Sequence, residues 1–425
     1  MNTISIARNL SSWNLLYYKS MISPLTRSRS LFFRTHRFSF GHMKALPTLA
    51  LNRLLAYAAS SVIGIFMPIF IFEFFHQSIQ AVLLFYLADQ VLKLPFFVPA
   101  AKIFSKIGLT KSMAIGVLGL SVFYFTFFLL GQASTLPPFA LIAFGLVGLM
   151  LSSTLYWSPF HIDFAEFSTK EKRGRQVSAL FMIQELIGVI GPIVSGFLII
   201  KYGYTMTFFV GLILVLSSLV PLIYLPKTEV QYEFGYWESF RELFSKKFRS
   251  MSISMMAFGA ENMVGVIVWP IFLYTVFKGN YLDIGFFASI IVVITLVLQL
   301  FVGKEIDKIS AKRMLRIGTG IYAIGWIWKG LVQTVAGVFA ASTFHSFGSV
   351  FLQTPMDAMT YEQAADAGHY IDEYTVLREM SLNIGRILVI IFLLILSYRF
   401  SITISFFVAA FISLAINRLS KIVAA

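Results

Sequence analysis

Asp89 and Lys93 stand four residues apart within residues 79–100, a stretch with no other formal charge. That spacing puts both side chains on one face of a helix. A carboxylate there can take up a proton beside a ready countercharge, or the pair can simply neutralise itself as a structural unit. Glu261, followed by Asn262, is the lone acid of residues 251–277. Arg386 lies in the middle of 377–397. A guanidinium in such surroundings needs a carboxylate, a carbonyl or an anionic ligand, and Glu261 and Asp89 are its candidate partners. The chemistry these types support is proton and ion binding. Tyr57, Ser61, Ser153, Trp157, Trp269, His345 and Gln353 are further polar or aromatic candidates in apolar stretches.

Other chemistries lack their residues. There is no Cys, and the six His (His36, His42, His76, His161, His345 and His369) show no metal-ligand spacing, so no metal and no cofactor are expected. No Gly-rich sequence ending in Gly-Lys-Ser/Thr suggests ATP-driven action. The acidic connector Asp357, Glu362, Asp366, His369, Asp372 and Glu373 is the nearest thing to a hydrolytic cluster. It reads as a solvated gate loop, and the chain does not read as an enzyme. His161 and Asp163 read as a structural pair at the mouth of a helix, and Glu185 and Glu379 as caps or gates.

These residues must be positioned inside a bilayer. Of the 425 residues 58% are apolar and 13% charged, with a mean hydropathy of +0.79 and 45 Phe. A soluble domain carries about 25% charged residues. Between Lys111 and Asp163 there are 51 residues without a formal charge, broken by Gly131 and Leu136-Pro137-Pro138, so two spans are expected there. The whole chain reads as an all-α integral membrane protein with twelve transmembrane helices: 50–73, 79–100, 112–131, 137–158, 177–200, 204–225, 251–277, 283–303, 314–333, 335–356, 377–397 and 400–417. One set of connecting segments holds 22 Lys and Arg, against four (Lys201, Lys278, Lys329 and Arg399) in the other. By the positive-inside bias both termini are cytoplasmic. The net charge of +14 is therefore read as topological and not as a nucleic-acid signal.

Four segments follow: a basic tail at 1–47, a six-helix bundle at 48–226, a linker at 227–250 and a second six-helix bundle at 251–425. The linker is basic and aromatic (Tyr232, Phe234, Trp237, Phe240, Phe244) and is expected to lie on the membrane surface. The tail has a Ser- and Arg-rich composition like a transit peptide, while Met43-Lys44 offers an alternative start. The two bundles match each other. At an offset of 202, Pro68-Ile69-Phe70 falls on Pro270-Ile271-Phe272 and Lys111 on Arg313. At 194, Asp163 falls on Asp357, Glu185 on Glu379 and Ile190-Gly191 on Ile384-Gly385. Six spans per copy make the repeat parallel, with a site expected near mid-membrane between the copies.

The loop after the eighth span carries Gly303, Asp307, Lys308, Lys312 and Arg313. It resembles the signature cytoplasmic loop of the major facilitator superfamily, in which a Gly is followed by an acid and then by basic residues. The equivalent first-half loop keeps Lys106, Gly108 and Lys111 but has Ser105 where that family has the acid. The fifth span carries Gly188, Gly191-Pro192 and Gly196, similar to the Gly-Pro motif of the antiporter branch; such small residues also serve ordinary helix packing. The resemblance implies a monomeric secondary active transporter that moves a small molecule through the bilayer by alternating access. Proton coupling through Asp89 or Glu261 is expected, and efflux is favoured over uptake by the Gly-Pro motif. A receptor or assembly factor on the same fold is the alternative. An inner-membrane location fits better than an organellar one.

Overall fold

The computed structural model describes residues 40–132, 136–167, 173–228, 230–306, 310–366 and 371–421, and every regular element among them is helical. Residues 1–39, Asp307, Lys308 and His369 lie outside these. The first half comprises α1 (Phe40–Ile63), α2 (Phe66–Phe74), α3 (Ile79–Lys93), α4 (Phe97–Ile107), α5 (Leu109–Leu130), α6 (Pro138–Phe167), α7 (Arg173–Ser217) and α8 (Leu219–Leu222). A linker helix α9 (Tyr236–Glu242) leads to α10 (Arg249–Met263), α11 (Trp269–Val276), α12 (Tyr281–Ile306), α13 (Ala311–Leu331), α14 (Val335–Asp366), α15 (Ile371–Leu396) and α16 (Ile404–Ser413).

Among the described residues nine helical stretches are long and apolar enough to cross a membrane. One of them, Met182–Leu222, runs 41 residues. Gly203 (φ 75°, ψ 177°) breaks it into two arms, at a backbone conformation that favours Gly. The helix α13 has 21 residues but carries Lys312, Arg313, Arg316 and Lys329, which keeps it outside the nine. The stretch Ile404–Leu419 is shorter than the rest. Large apolar side chains such as Phe139, Ile223 and Phe411 are exposed, as a lipid-facing surface requires.

The halves pack by one plan. In the first, α1 packs on α7, and α5 on α6 and α7; in the second, α10 packs on α15, and α13 on α14 and α16. Their first turns are also alike. His76 and Gln77 have positive φ, as do Lys278 and Gly279, 202 residues on. The Gln77 amide donates to the Phe72 carbonyl (2.7 Å) just as Gly279 donates to Tyr274 (2.9 Å). Ser78 then caps α3 by accepting from the Ala81 amide at 3.2 Å.

The halves meet along two seams, α3 against α15 and α7 against α12. At the second seam backbone touches backbone. A β-carbon at Gly196 would fall 2.6 Å from the Tyr281 carbonyl oxygen, and one at Gly285 would collide with the Pro192 carbonyl. The linker crosses the far end of the molecule. Its Tyr232 amide donates to Ser105 Oγ (3.1 Å) and its Glu233 amide to Glu373 Oε1 (2.8 Å). Ser105, standing where the acid was expected, thus receives the linker backbone. Of the acidic connector's described residues, Asp357 lies on α14, Asp372 and Glu373 open α15, and Glu373 is fully buried rather than solvated. Their negative charge suits a helix N-terminus. Burial pushes the Tyr232 phenol above its ordinary value; Glu373 and Glu238 add to this, and a bond to Ser239 opposes it.

Candidate functional site

The first polar cluster lies on the α3/α15 seam. Asp89 and Lys93, one turn apart on α3, form an ion pair at 2.6 Å and are both buried. Asp89 Oδ2 also accepts from the Gln90 amide at 2.7 Å. Gln90 Oε1 in turn accepts from Asn383 of α15 at 2.8 Å, which ties the two halves together. Arg386 follows Asn383 by three residues, on the same face of α15. It is close enough to feel the charges of Glu379 and Asp89, and Lys93 feels Arg386 in turn. Of the two acids expected to face Arg386, Asp89 is therefore the nearer.

The second cluster is buried wholly within the second half. Glu261, 1% exposed, projects from α10 one turn before the π-helical Val264–Val268 and Pro270. Such a π-bulge redirects the side chains around it. Glu261 Oε1 accepts from the Tyr322 hydroxyl and from Trp326 Nε1 (3.2 Å), both on α13. Lys329, one turn further on α13, lies over the rings of Trp269 (4.1 Å) and Trp326 (4.6 Å). Its Nζ is 3.2 Å from Nδ1 of His345 on α14. Glu261 Oε2 and His345 Nε2 are buried with no hydrogen-bond partner.

The sequence reading counted Lys329, inside the ninth span at 314–333, among the few positive charges facing water on one side. It is instead buried, 6% exposed, with its side chain folded onto two indole faces. The first half lacks this arrangement. At the repeat offset of 202, Lys329 corresponds to Phe127, which packs among the rings of Phe70, Phe85, Phe123 and Phe208. Glu261 corresponds to Ala59, whose carbonyl accepts from Tyr124, the counterpart of Trp326, at 2.7 Å. A backbone acceptor in one half has become a carboxylate in the other.

The other expected residues are spread out. Trp157 lies under Arg53 of α1, whose guanidinium is 4.3 Å from the indole centroid, with His161 stacked beyond it. The hydroxyl of Ser61 points to the Ile187 carbonyl at 3.4 Å, beside Gly188 and Gly191, where α1 and α7 cross. Asn262 is half-buried and Gln353 exposed, and among the described residues neither is hydrogen-bonded into either cluster. Asp163 is buried and Glu379 pairs with Arg378 at 2.5 Å, away from Glu261. At the end of the molecule near residues 73–79, Glu73 of α2 accepts from Tyr274 (2.8 Å) and from Tyr281 across the halves. Sequence reasoning missed Gln90, Asn383, Tyr322, Trp326, Lys329 and this Glu73 contact. The i, i+4, i+7 spacing of Tyr322, Trp326 and Lys329 on one helix face was the available signal.

A family model described as Major Facilitator Superfamily matches residues 49–250 and again 250–419. The chain belongs to that superfamily. Similarity to individual members is more distant. An uncharacterised protein of Bacillus subtilis (strain 168), YqgE, is 26% identical over 311 residues, covering 71% of each chain. A crystal structure of a POT family transporter in complex with 5-aminolevulinic acid superposes with a TM-score of 0.64 at 13% identity, over 88% of this chain and 94% of that one. The human organic anion transporter MFSD10 (TETRAN) gives 0.65 at 11% identity, over 89% and 99%. These likenesses establish the fold of the superfamily, a transporter fold. Of the superfamily's loop residues, Gly303 lies in α12, Lys312 and Arg313 are exposed at the start of α13, and Lys106 and Lys111 are exposed on α4 and α5. Gly108 between those two helices has φ +88°.

Proposed function

We propose that this chain is a proton-coupled secondary transporter of twelve spans, in which two six-helix halves rock about the α3/α15 seam and expose a mid-membrane site to each side in turn. The count of twelve treats the two arms of α7 as separate spans and adds α13 and the final helix to the long apolar stretches. The linker and both termini are assigned to the cytoplasm, and the membrane to the cell's inner membrane, on the distribution of Lys and Arg. The observation that carries this reading is the pair of buried charge clusters at mid-helix depth. Ionisable groups there are costly and mark ion or substrate pathways. Asp89–Lys93 spans the seam between the halves through Gln90 and Asn383, while Glu261 retains an unpartnered oxygen. Asp89 and Glu261 are the proposed proton carriers, with Arg386 at the substrate site. Export is the proposed direction, on the Gly191-Pro192 motif. The neighbours in fold are named for different cargoes, 5-aminolevulinic acid and organic anions among them, so the cargo must be read from this chain's own residues.

The test is proton movement in proteoliposomes loaded with a pH-sensitive dye, on addition of a metabolite and drug panel. Active compounds should drive proton flux that falls to background in Asp89→Asn or Glu261→Gln. Unchanged flux in both variants would remove the proposed coupling.

A further inference from the structure

Arg386, on the α3/α15 seam, has no direct carboxylate partner among the described residues. Asp89 takes Lys93 at 2.6 Å and Gln90 at 2.7 Å through Oδ2, while its Oδ1 is buried without a hydrogen-bond partner. Glu379 is engaged by Arg378 at 2.5 Å. Arg386 stands beside both pairs and belongs to neither. Among the described residues no carboxylate lies within 4.0 Å of its guanidinium, and its Nε is buried without a hydrogen-bond partner. Arg386, in the middle of α15, is thus near acids that are paired elsewhere and is itself directly paired with none of them.

A lone charge at that depth is costly and marks an ion or substrate pathway. An opposite charge arriving from outside the chain would offset that cost. Arg presents a planar fork of donors that pairs in two-point fashion with carboxylate, sulfonate or phosphate oxygens. The neighbouring amide of Asn383 is already committed to Gln90 and holds α15 in register with α3. The guanidinium is therefore positioned by its own helix and by the seam, with only its countercharge missing.

We propose that the cargo is an organic anion whose acidic group docks on Arg386. This rests on the transporter reading, and names its substrate class.

The test is thermal stabilisation of the purified full-length protein by acids set beside their neutral amides: benzoate and benzamide, hexanoate and hexanamide, p-toluenesulfonate and its sulfonamide. At least one acid should stabilise the protein while its amide does not. Arg386→Gln should abolish the shift. Arg386→Lys keeps the charge but loses the fork, and should weaken the apparent affinity about tenfold; this variant carries the test if Arg386→Gln does not fold. Amides that bind as well as acids, an acid shift that survives Arg386→Gln, or no stabilisation by any acid would each overturn the inference. Counterflow of the binding acid in proteoliposomes separates the two levels. Arg386-dependent binding without exchange would leave the anion site standing and remove the transporter reading. Exchange of neutral compounds that persists in Arg386→Gln would do the reverse.

Discussion

Lys329→Met is expected to destabilise the second half by about 3–5 kcal/mol, the usual cost of stripping one partner from a buried charge cluster. The replacement keeps the apolar stem and the contact with Trp269 and Trp326, so the loss is one of charge and not of packing. What remains is Glu261, 1% exposed, with one oxygen held by Tyr322 and Trp326 and the other without a partner. Protonation relieves an isolated carboxylate, so the sign with pH follows. The destabilisation should be smaller at pH 6, where uptake of a proton is easier, and larger at pH 8. Glu261→Gln in the same chain should recover most of the loss, because the remaining groups are neutral and Gln can still accept from Tyr322 and Trp326. Thermal unfolding in detergent of the two single variants and the double variant measures the coupling. Additive losses would show that Lys329 and Glu261 are independent.

Gly285→Leu is expected to abolish transport while leaving each half folded. At the α7/α12 seam the Gly285 backbone lies against the Pro192 carbonyl, and Gly196 lies against Tyr281. A four-carbon side chain between two backbones has nowhere to relax except by parting the halves. Overpacking of this kind costs about 1–3 kcal/mol, enough to shift a balanced two-state equilibrium by about five- to 150-fold. The same change at Gly320, where a β-carbon meets nothing within 4 Å, should leave flux near the unmodified level and serves as the control. Flux in Gly285→Leu equal to that control would mean the seam does not need to close.

How much of this could be read in advance followed the range of the interactions. Asp89 and Lys93 are four residues apart, and their pairing is a local consequence of helical spacing. The duplication was visible as offsets of 202 and 194, and it reappears in the paired positive-φ turns at His76-Gln77 and Lys278-Gly279. Gln90 and Asn383 are 293 residues apart, and no local pattern connects them. Lys329 was counted among the water-facing charges for a physical reason. A Lys near the end of an apolar run ordinarily reaches for water, and only the two indole faces supplied by Trp326 and Trp269 turn it inward. The acidic residues Asp372 and Glu373 looked like loop residues because charge in a membrane protein suggests solvent; they open a helix instead, and Glu373 holds the linker. Gln353 and Asn262 were singled out by type alone, and burial and hydrogen bonding give them no place in either cluster.

The central claim is that the two halves rock to open opposite ends in turn, and because the chain has no Cys its labelling background is clean. The direct measurement is electron-spin distance in liposomes between two label pairs at exposed positions. One pair, Gln77→Cys and Lys278→Cys, reports the end where Glu73 meets Tyr274 and Tyr281. The other, Lys111→Cys and Arg316→Cys, reports the linker end. On shifting the pH from 8 to 6 the two distances should change in opposite directions, and Glu261→Gln should hold both at one setting. Distances that stay fixed, or that lengthen and shorten together, would contradict alternating access and favour a receptor or assembly role on the same fold.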